Sequence, residues 1–415
     1  MNVMSGCIRY MAWFLLYCGL HYIEGYPPMG GLPVAQLWKL PLLAYLLLLT
    51  IRSRKRKFAF EKSIYGFSII STLNVESLSN PLYSLAHAMK QLPLVLFFRF
   101  WIHKFDGRVA RLERIMYSLA QFVLLSSLVV LIGLVSPIGG FISADSFGID
   151  SAIYYSGILG SPHAASSYFV AAILILLDGF VRKRFGRRLE RWFNFGLILV
   201  GLVSVFQAYV RTGWLMLLLG VVVMLLPKRV TLHRVIKFGA LSLVLIGGLV
   251  YFYETNEQFK ARILGRNVYT EASSESIDVA GSGRTSFWLN GIEGWSEGSM
   301  YELFFGQGYT KVVERNLEKT GLRVFSHNQF VDSLAEHGVF GLFFLVGFFV
   351  CLYVFIRRHR HSEYYRLNMA LFFSAVIFAF FQNEMYFDYM VMFSLSLALL
   401  VLSDSQPLKN NQYAG

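Results

Sequence analysis

Four basic side chains, singly ordinary, are of types and at positions that together could do chemistry. Arg211 lies in YVRTGWLMLLLG, at a tight turn between two strongly apolar runs. Arg284 lies in AGSGRTSFWLNG, directly after a Gly-Ser-Gly whose backbone freedom allows close approach to a ligand. His327 lies in FSHNQFVDSLAEHGVF, at the threshold of GLFFLVGFFVCLYVFI, and Lys90 sits within LAHAMKQLPLVLFF. Two guanidinium forks suit the oxygens of a diphosphate, which accept bidentate charged hydrogen bonds. A histidine, able to exchange a proton near neutral pH, suits a general base acting on a hydroxyl. The chemistry these types would serve is transfer of a group from a diphosphate to an alcohol, with fixed cations stabilising the leaving oxygen.

Each residue also has a plainer reading. A lone arginine beside a span ordinarily snorkels to the interface, and a loop arginine is ordinarily a solvated charge. Lys90 has Glu76 and Asp388 as prospective partners, and His163 in GSPHAASSYF reads best as a cap of the following run. Asp332 and Glu336 favour the positive end of a helix dipole, so a capping role is assigned to both. Asn328 is expected to orient the His327 ring or the acceptor. Glu384 and Asp388, in FQNEMYFDYM, and Lys90 join the candidate site by location. What weakens the plain readings is convergence, since all these residues fall on one side of the membrane once the chain is threaded through it.

That threading follows from composition. The chain has 415 residues, 55% hydrophobic and only 15% charged, with a mean hydropathy of +0.51. Soluble domains carry roughly 25% charged residues, so the expectation is an all-α polytopic membrane protein. Apolar runs of near-spanning length fall at 8–24, 35–51, 63–80, 82–102, 115–136, 161–181, 193–210, 212–227, 235–253, 336–356, 367–384 and 389–404, about twelve spans at roughly 20 residues each. The N-terminus lacks a small-x-small cleavage site and reads as a retained first span. The formal charge of +13 does not indicate nucleic acid, because it is dispersed in short clusters between apolar runs. Cys7, Cys18 and Cys351 lack metal-ligand spacing and form no disulfide framework.

The basic clusters orient the spans. RSRKRK, HKFDGRVARLER, RKRFGRRLER, PKRVTLHR and RRHRH follow alternate runs, while IEGYPPMGGLPV and SPIGGFISADSFGIDSAIYYSG contain neither Lys nor Arg. Positive-inside bias therefore puts both termini in the cytoplasm. The expected organisation is nine spans over 1–253, a large outer loop with short helices over 254–335, three spans over 336–404 and a cytoplasmic tail over 405–415. A loop of that length in a compact protein is functional or disordered, and its helical patches favour the former. The outer-loop acids Asp145, Asp150 and Asp278 are scattered, so neither metal nor other cofactor is expected and two arginines stand in for a cation. A transporter would show internal repeats and paired broken helices, which are not evident here. A structural or sensor protein would have no use for Lys90 and Arg211.

At these residues the sequence resembles the O-antigen polymerase and ligase superfamily. The resemblance runs over roughly residues 160–356 and rests on YVRTGWLMLLLG, GSGRTSFW, LFFGQGYTKV and SHNQFVDSLAEHGVFGLFFLV. It implies a metal-independent glycosyltransferase of the helical GT-C type in the bacterial inner membrane, with its active site facing the periplasm. Its donor would be an oligosaccharide on a polyprenyl diphosphate such as undecaprenyl diphosphate, and a chain-length regulator protein would be a partner. By matching position, Arg211 and Arg284 would bind the donor diphosphate and His327 would assist the acceptor hydroxyl. Where many relatives have Ser-Arg at the turn this chain has Val210-Arg211, which removes a serine contact. A polymerase acting on a lipid-linked repeat unit is the preferred reading, an O-antigen ligase acting on lipid A core the alternative, and a glycolipid flippase a distant third.

Overall fold

The computed structural model describes residues 2–24, 34–53, 58–135, 142–143, 153–159, 161–225, 247, 255, 284–382 and 385–404. Apart from a two-residue antiparallel bridge pairing Ile142–Ser143 with Ile153–Tyr154, the regular structure there is helical. The helices are α1 (Asn2–Glu24), α2 (Val34–Arg52), α3 (Ala59–Ile70), α4 (Val75–Ser79), α5 (Pro81–Lys90), α6 (Pro93–Lys104), α7 (Val109–Leu131), α8 (Pro162–Val181), α9 (Arg188–Gln207) and α10 (Arg211–Leu225). After the polar loop come α11 (Arg284–Ser296), α12 (Met300–Phe305), α13 (Lys311–Thr320), α14 (Gln329–Arg358), α15 (Tyr365–Phe381) and α16 (Phe387–Asp404). Among the described residues α7, α8, α9, α14 and α16 are long and apolar enough to cross a membrane, and α10 and α15 are shorter apolar helices. The chain is a multi-pass membrane protein.

Helix α8 is apolar around its whole circumference and is buried almost throughout, as expected of a helix at the centre of a bundle. Its neighbours pack on it through small residues. A Cβ at Gly201 of α9 would lie 2.7 Å from Ile173, and one at Gly220 of α10 would lie 2.6 Å from Leu174. Ser374 of α15 donates to the Met216 carbonyl of α10 at 2.9 Å, and Trp101 of α6 donates to Ser394 of α16 at 3.0 Å. Leu189, Trp192 and Leu199 of α9 point outward, where lipid rather than water would meet them.

Two expected spans take a different form. Residues 63–80 and 82–102 are not two through-going helices but the broken series α3 to α6. The polar stretch SIISTLNVESLSN supplies the break: Asn74 accepts from the Ser77 amide at 2.8 Å and so caps α4, while Pro81 and Pro93 open α5 and α6, where a missing N–H costs nothing. Ser77 donates to Ser84 at 2.7 Å, and Glu61 and Arg99 form a buried ion pair between α3 and α6. Irregular backbone at membrane depth is tolerated where protein covers it, as here. Lys90 accordingly ends α5 rather than lying inside a continuous span. The expected span 235–253 lies outside the described residues.

One end of the bundle carries the basic loops. Arg182, just past α8, bonds Asp178 at 2.6 Å, Glu113 of α7 at 3.1 Å and the Tyr117 hydroxyl at 2.8 Å, and stacks 4.0 Å over Tyr364. Arg184 pairs with Glu363 at 2.5 Å. The loops after α8 and α14 therefore meet on the same face. Helices α8 and α10 both start from the opposite face, on which a Cβ at Gly213 would lie 2.9 Å from Ser166.

Candidate functional site

The polar loop reaches that opposite face through α11, α12 and α13. Arg315 of α13 pairs with Glu297 just past α11 at 2.6 Å, and Asn290 donates to Asn316 at 3.0 Å. The segment FGQGY then stitches the loop to α14. Gly338 has φ 66° and ψ −168° inside α14, so the helix breaks there and the preceding carbonyls lose their helical donors. Gln307 N–H donates to the Ala335 carbonyl at 3.0 Å and Gly308 N–H to that of Glu336 at 3.2 Å. On its other side the same segment receives Val75 N–H at the Gly306 carbonyl, 3.4 Å, and gives Thr310 N–H to the Glu76 carboxylate, 2.9 Å. The backbones approach so closely that a Cβ at Gly306 would lie 2.1 Å from the Glu336 carbonyl and one at Gly338 2.3 Å from Phe304.

Helix α14 begins at Gln329, earlier than the apolar run alone implies, and its N-cap is Asn328, whose side chain accepts from the Phe330 and Val331 amides at 3.0 and 3.3 Å. Of the two acids expected at the helix start Asp332 does stand in the first turn, but the capping bonds are made by Asn328, and the capping role given to Asp332 and Glu336 is corrected to that extent. Asp332 instead accepts from the Ser326 amide at 3.2 Å, and Glu336 lies buried beside His337. An asparagine can satisfy two first-turn donors from outside the helix, whereas residues within the helix point away from them.

His327 precedes that cap with φ 56°, a left-handed conformation which histidine adopts more readily than most residues. Its ring lies 6.4 Å from that of His163. Gln382, after α15, donates from Nε2 to His163 Nδ1 at 2.9 Å, and its side chain also reaches His327. Arg284, first residue of α11, lies 5.8 Å over the Phe381 ring and its charge bears on His327. Burial first, and the Arg284 cation second, lower the His327 pKa to about 4, against the opposing pull of Gln382. At neutral pH the ring is therefore uncharged and able to accept a proton, beside a fixed cation able to meet an anion.

Arg211 opens α10 two residues after Tyr209, whose φ of 50° reverses the chain. With Gly213 seated on Ser166 of α8, Arg211 belongs to the bundle end that carries His163. That histidine is the second residue of α8 and not its cap: Ser161 accepts the Ala164 amide at 3.5 Å.

The remaining candidates go elsewhere. Asp388 accepts from His21 Nε2 at 2.7 Å and from the Tyr17 hydroxyl at 3.4 Å, in a cluster completed by Glu24 and Lys39, 2.8 Å apart. Neither Asp388 nor Glu76 is the partner of Lys90 suggested by position. Lys90 lies near His87, and Glu384 lies outside the described residues. Gln382 and Phe381 escaped the sequence reading, although both stand in the polar end of an apolar run that drew notice for its acids. Among the described residues no three His, Cys, Asp or Glu side chains converge on a metal-binding position.

Residues 195–346 match the family model described as O-Antigen ligase (Wzy_C), a stretch that contains Arg211, Arg284 and His327. The match supports the O-antigen polymerase and ligase superfamily for this chain and, with it, a glycosyltransferase-like activity. No curated protein matches the chain.

Proposed function

We propose that this member of the superfamily moves a glycan from a polyprenyl diphosphate to a hydroxyl of a second lipid-linked repeat unit, at the periplasmic face of the bacterial inner membrane. The observation that carries the reading is that the end of α15 gathers Arg284 and the two histidines: Arg284 lies 5.8 Å over Phe381, Gln382 bonds His163, and the His163 ring is 6.4 Å from that of His327. In the reaction the bond between sugar C1 and the diphosphate oxygen breaks with its electron pair going to the diphosphate. The acceptor oxygen bonds to C1 and its proton passes to His327. Arg284, with Arg211 from the start of α10, meets the charge that develops on the leaving group. Donors already in place need no reorganisation when that charge appears, and loss of one costs on the order of 10²–10³ in rate.

The domain-like loop over 254–335 would cover this site, with the spans over 1–253 and 336–404 forming the lipid-side wall and residues 405–415 the cytoplasmic tail. Asn328 acts through the cap that holds His327 in position. Asp388 and Lys90 would line the approach for the lipid-linked substrates. No metal or other cofactor enters this scheme, and a chain-length regulator would act on it from outside. The second reading, transfer to lipid A core, is favoured by the description of the matched family as a ligase. Both use one donor site. The test supplies purified protein with the lipid-linked repeat unit alone, or with lipid A core as well. Elongated lipid-linked glycan in the first mixture supports polymerase, and product only in the second supports ligase. Absence of product from both mixtures, with intact donor recovered, would reject the transferase reading.

A further inference from the structure

A second polar recess adjoins the segment Phe325–Ser326–His327. While the His327 ring lies 6.4 Å from that of His163, Phe325 lines a small pocket of about 30 Å³ together with His87, Tyr309, Asp332, Glu336 and His337. The rim is aromatic and half-exposed. The Tyr309 ring lies tilted between its neighbours, 3.6 Å from that of His87 and 4.9 Å from that of Phe325. The floor is polar and buried: Asp332 is 4% exposed, Glu336 5% and His337 6%. Asp332 and Glu336 are four residues apart on α14, so their carboxyls share one face. The His337 Nδ1 makes no hydrogen bond within the protein, and a buried polar atom of this kind ordinarily has a partner.

The chemistry of the floor narrows what that partner is. Two carboxyl groups side by side repel a phosphate, so this recess is not an extension of the diphosphate site. Nor do three metal-ligating side chains converge here or elsewhere among the described residues, which argues against a bare metal ion. A neutral ligand with several hydroxyls meets both conditions: carboxylates accept from hydroxyls, an imidazole nitrogen accepts or donates, and an aromatic rim covers the C–H face. The volume suits one hydroxyl-bearing edge of a ring, since a single water needs roughly 10–15 Å³ on the same scale. The geometry points to a saccharide subsite here, gripping a sugar of the acceptor glycan by its hydroxyl edge while His327, two residues from Phe325, faces the reacting centre. The identity of that sugar's carrier rests on the transferase reading, but the binding itself does not.

The probe is the repeat-unit oligosaccharide freed of its lipid diphosphate by mild acid, so that the arginine site cannot hold it. Its binding to the full-length protein in detergent is followed by saturation-transfer NMR and calorimetry. Binding should weaken roughly ten- to hundredfold in Glu336→Gln, the scale of a charge-assisted hydrogen bond, and comparably in Tyr309→Ala. Tyr309→Phe, which keeps the ring, should bind as the parent does and so exclude misfolding as the cause. Arg284→Ala should leave oligosaccharide binding unchanged. Failure of the parent protein to bind the oligosaccharide, or binding indifferent to both Glu336→Gln and Tyr309→Ala, would overturn the subsite and leave a recess holding water only. Should the parent transfer no glycan yet bind the oligosaccharide in a Tyr309-dependent manner, the subsite stands and the reaction scheme alone falls.

Discussion

Gln382 donates to His163 at 2.9 Å, and the His163 ring lies 6.4 Å from that of His327, so one amide anchors a pair of histidines contributed by distant parts of the chain. Because Gln382 uses an N–H toward Nδ1 of His163, that ring carries its own proton on Nε2 in this arrangement. The amide is uncharged, which leaves the Arg284 cation as the dominant charge felt by His327. Replacing it with a carboxylate would change that balance. Gln382→Glu should supply Arg284 with an internal counterion and raise the donor KM by roughly tenfold or more, because a like charge now faces the diphosphate. Gln382→Ala, which loses only neutral hydrogen bonds worth about 1 kcal/mol, should cost several-fold at most. Equal effects of the two in a transfer assay would remove charge from the explanation.

The lowered pKa of His327 makes a signed prediction for the pH profile. With the folded-state value near 4, the basic form persists well below the ordinary histidine range near 6.5. The acid limb of kcat should therefore lie near pH 4–5 and not near 6.5. Arg284→Ala removes one of the two causes of the depression, so the limb of its residual activity should move upward toward 6.5. Stability follows the same group: between pH 6.5 and 4 the unfolded chain binds a proton at this position that the folded chain refuses, so stability falls as pH drops through that interval. An unmoved limb in Arg284→Ala would separate the arginine from the histidine.

General-base action also separates His327 from a packing residue. His327→Asn fits the same left-handed backbone, which asparagine tolerates well, so the loop should keep its shape. Transfer should nevertheless fall by roughly 10²–10⁴, the scale of general acid–base catalysis, with the lipid-linked donor still bound. Polymer or ligated product at near-parental level on glycan gels would assign His327 a conformational role only.

The break in α14 predicts a contrast between glycines. Gly338→Ala must place a Cβ 2.3 Å from Phe304 backbone at a φ that L-residues rarely adopt, so the thermal unfolding temperature in detergent should fall steeply. Gly321, in a left-handed C-cap with φ 72° and open space around it, provides the control. Gly321→Ala carries the conformational cost alone, about 1–2 kcal/mol, and should shift the transition much less.

The threading is checked with single cysteines after Cys7, Cys18 and Cys351 are replaced. Gly186→Cys and Arg360→Cys, on the basic-loop face, should resist impermeant thiol reagents in intact spheroplasts, while Glu318→Cys on α13 should label. Labelling of all three would overturn the orientation on which the periplasmic proposal depends.

Much of the site was legible because charge is conspicuous in an apolar chain. Arg211, Arg284 and His327 stand out by type alone, and alternation of basic loops assigns them to one face before any packing is known. Gln382 was passed over because an uncharged amide at a helix end carries no such signal. Asp388 was assigned to the wrong neighbours because its partner, His21, comes from the first helix, a pairing that only tertiary packing creates. The broken series from α3 to α6 was hidden for another reason: averaging hydropathy over a span-length window passes over Asn74, Pro81 and Pro93, the residues that interrupt the helix. Asn328 as cap was readable from residue preference, yet the histidine beside it invited a chemical role for the pair.

The ionic knot around Arg182 has an effect at the far end of the molecule. Helices α8 and α15 are joined there, α8 through Arg182 itself and α15 through Tyr364 just before its start, and their other ends carry His163 and Gln382. They are two stiff rods joined at one end, with the histidine–amide contact held between their other ends. At about 1.5 Å per residue, α8's 20 residues set the joint and those other ends roughly 30 Å apart. A small splay at the knot is multiplied along that length. A lesion at Arg182, or a ligand that loosens it from the basic-loop face, would act on the geometry around His327 by leverage, without touching a single residue of the site.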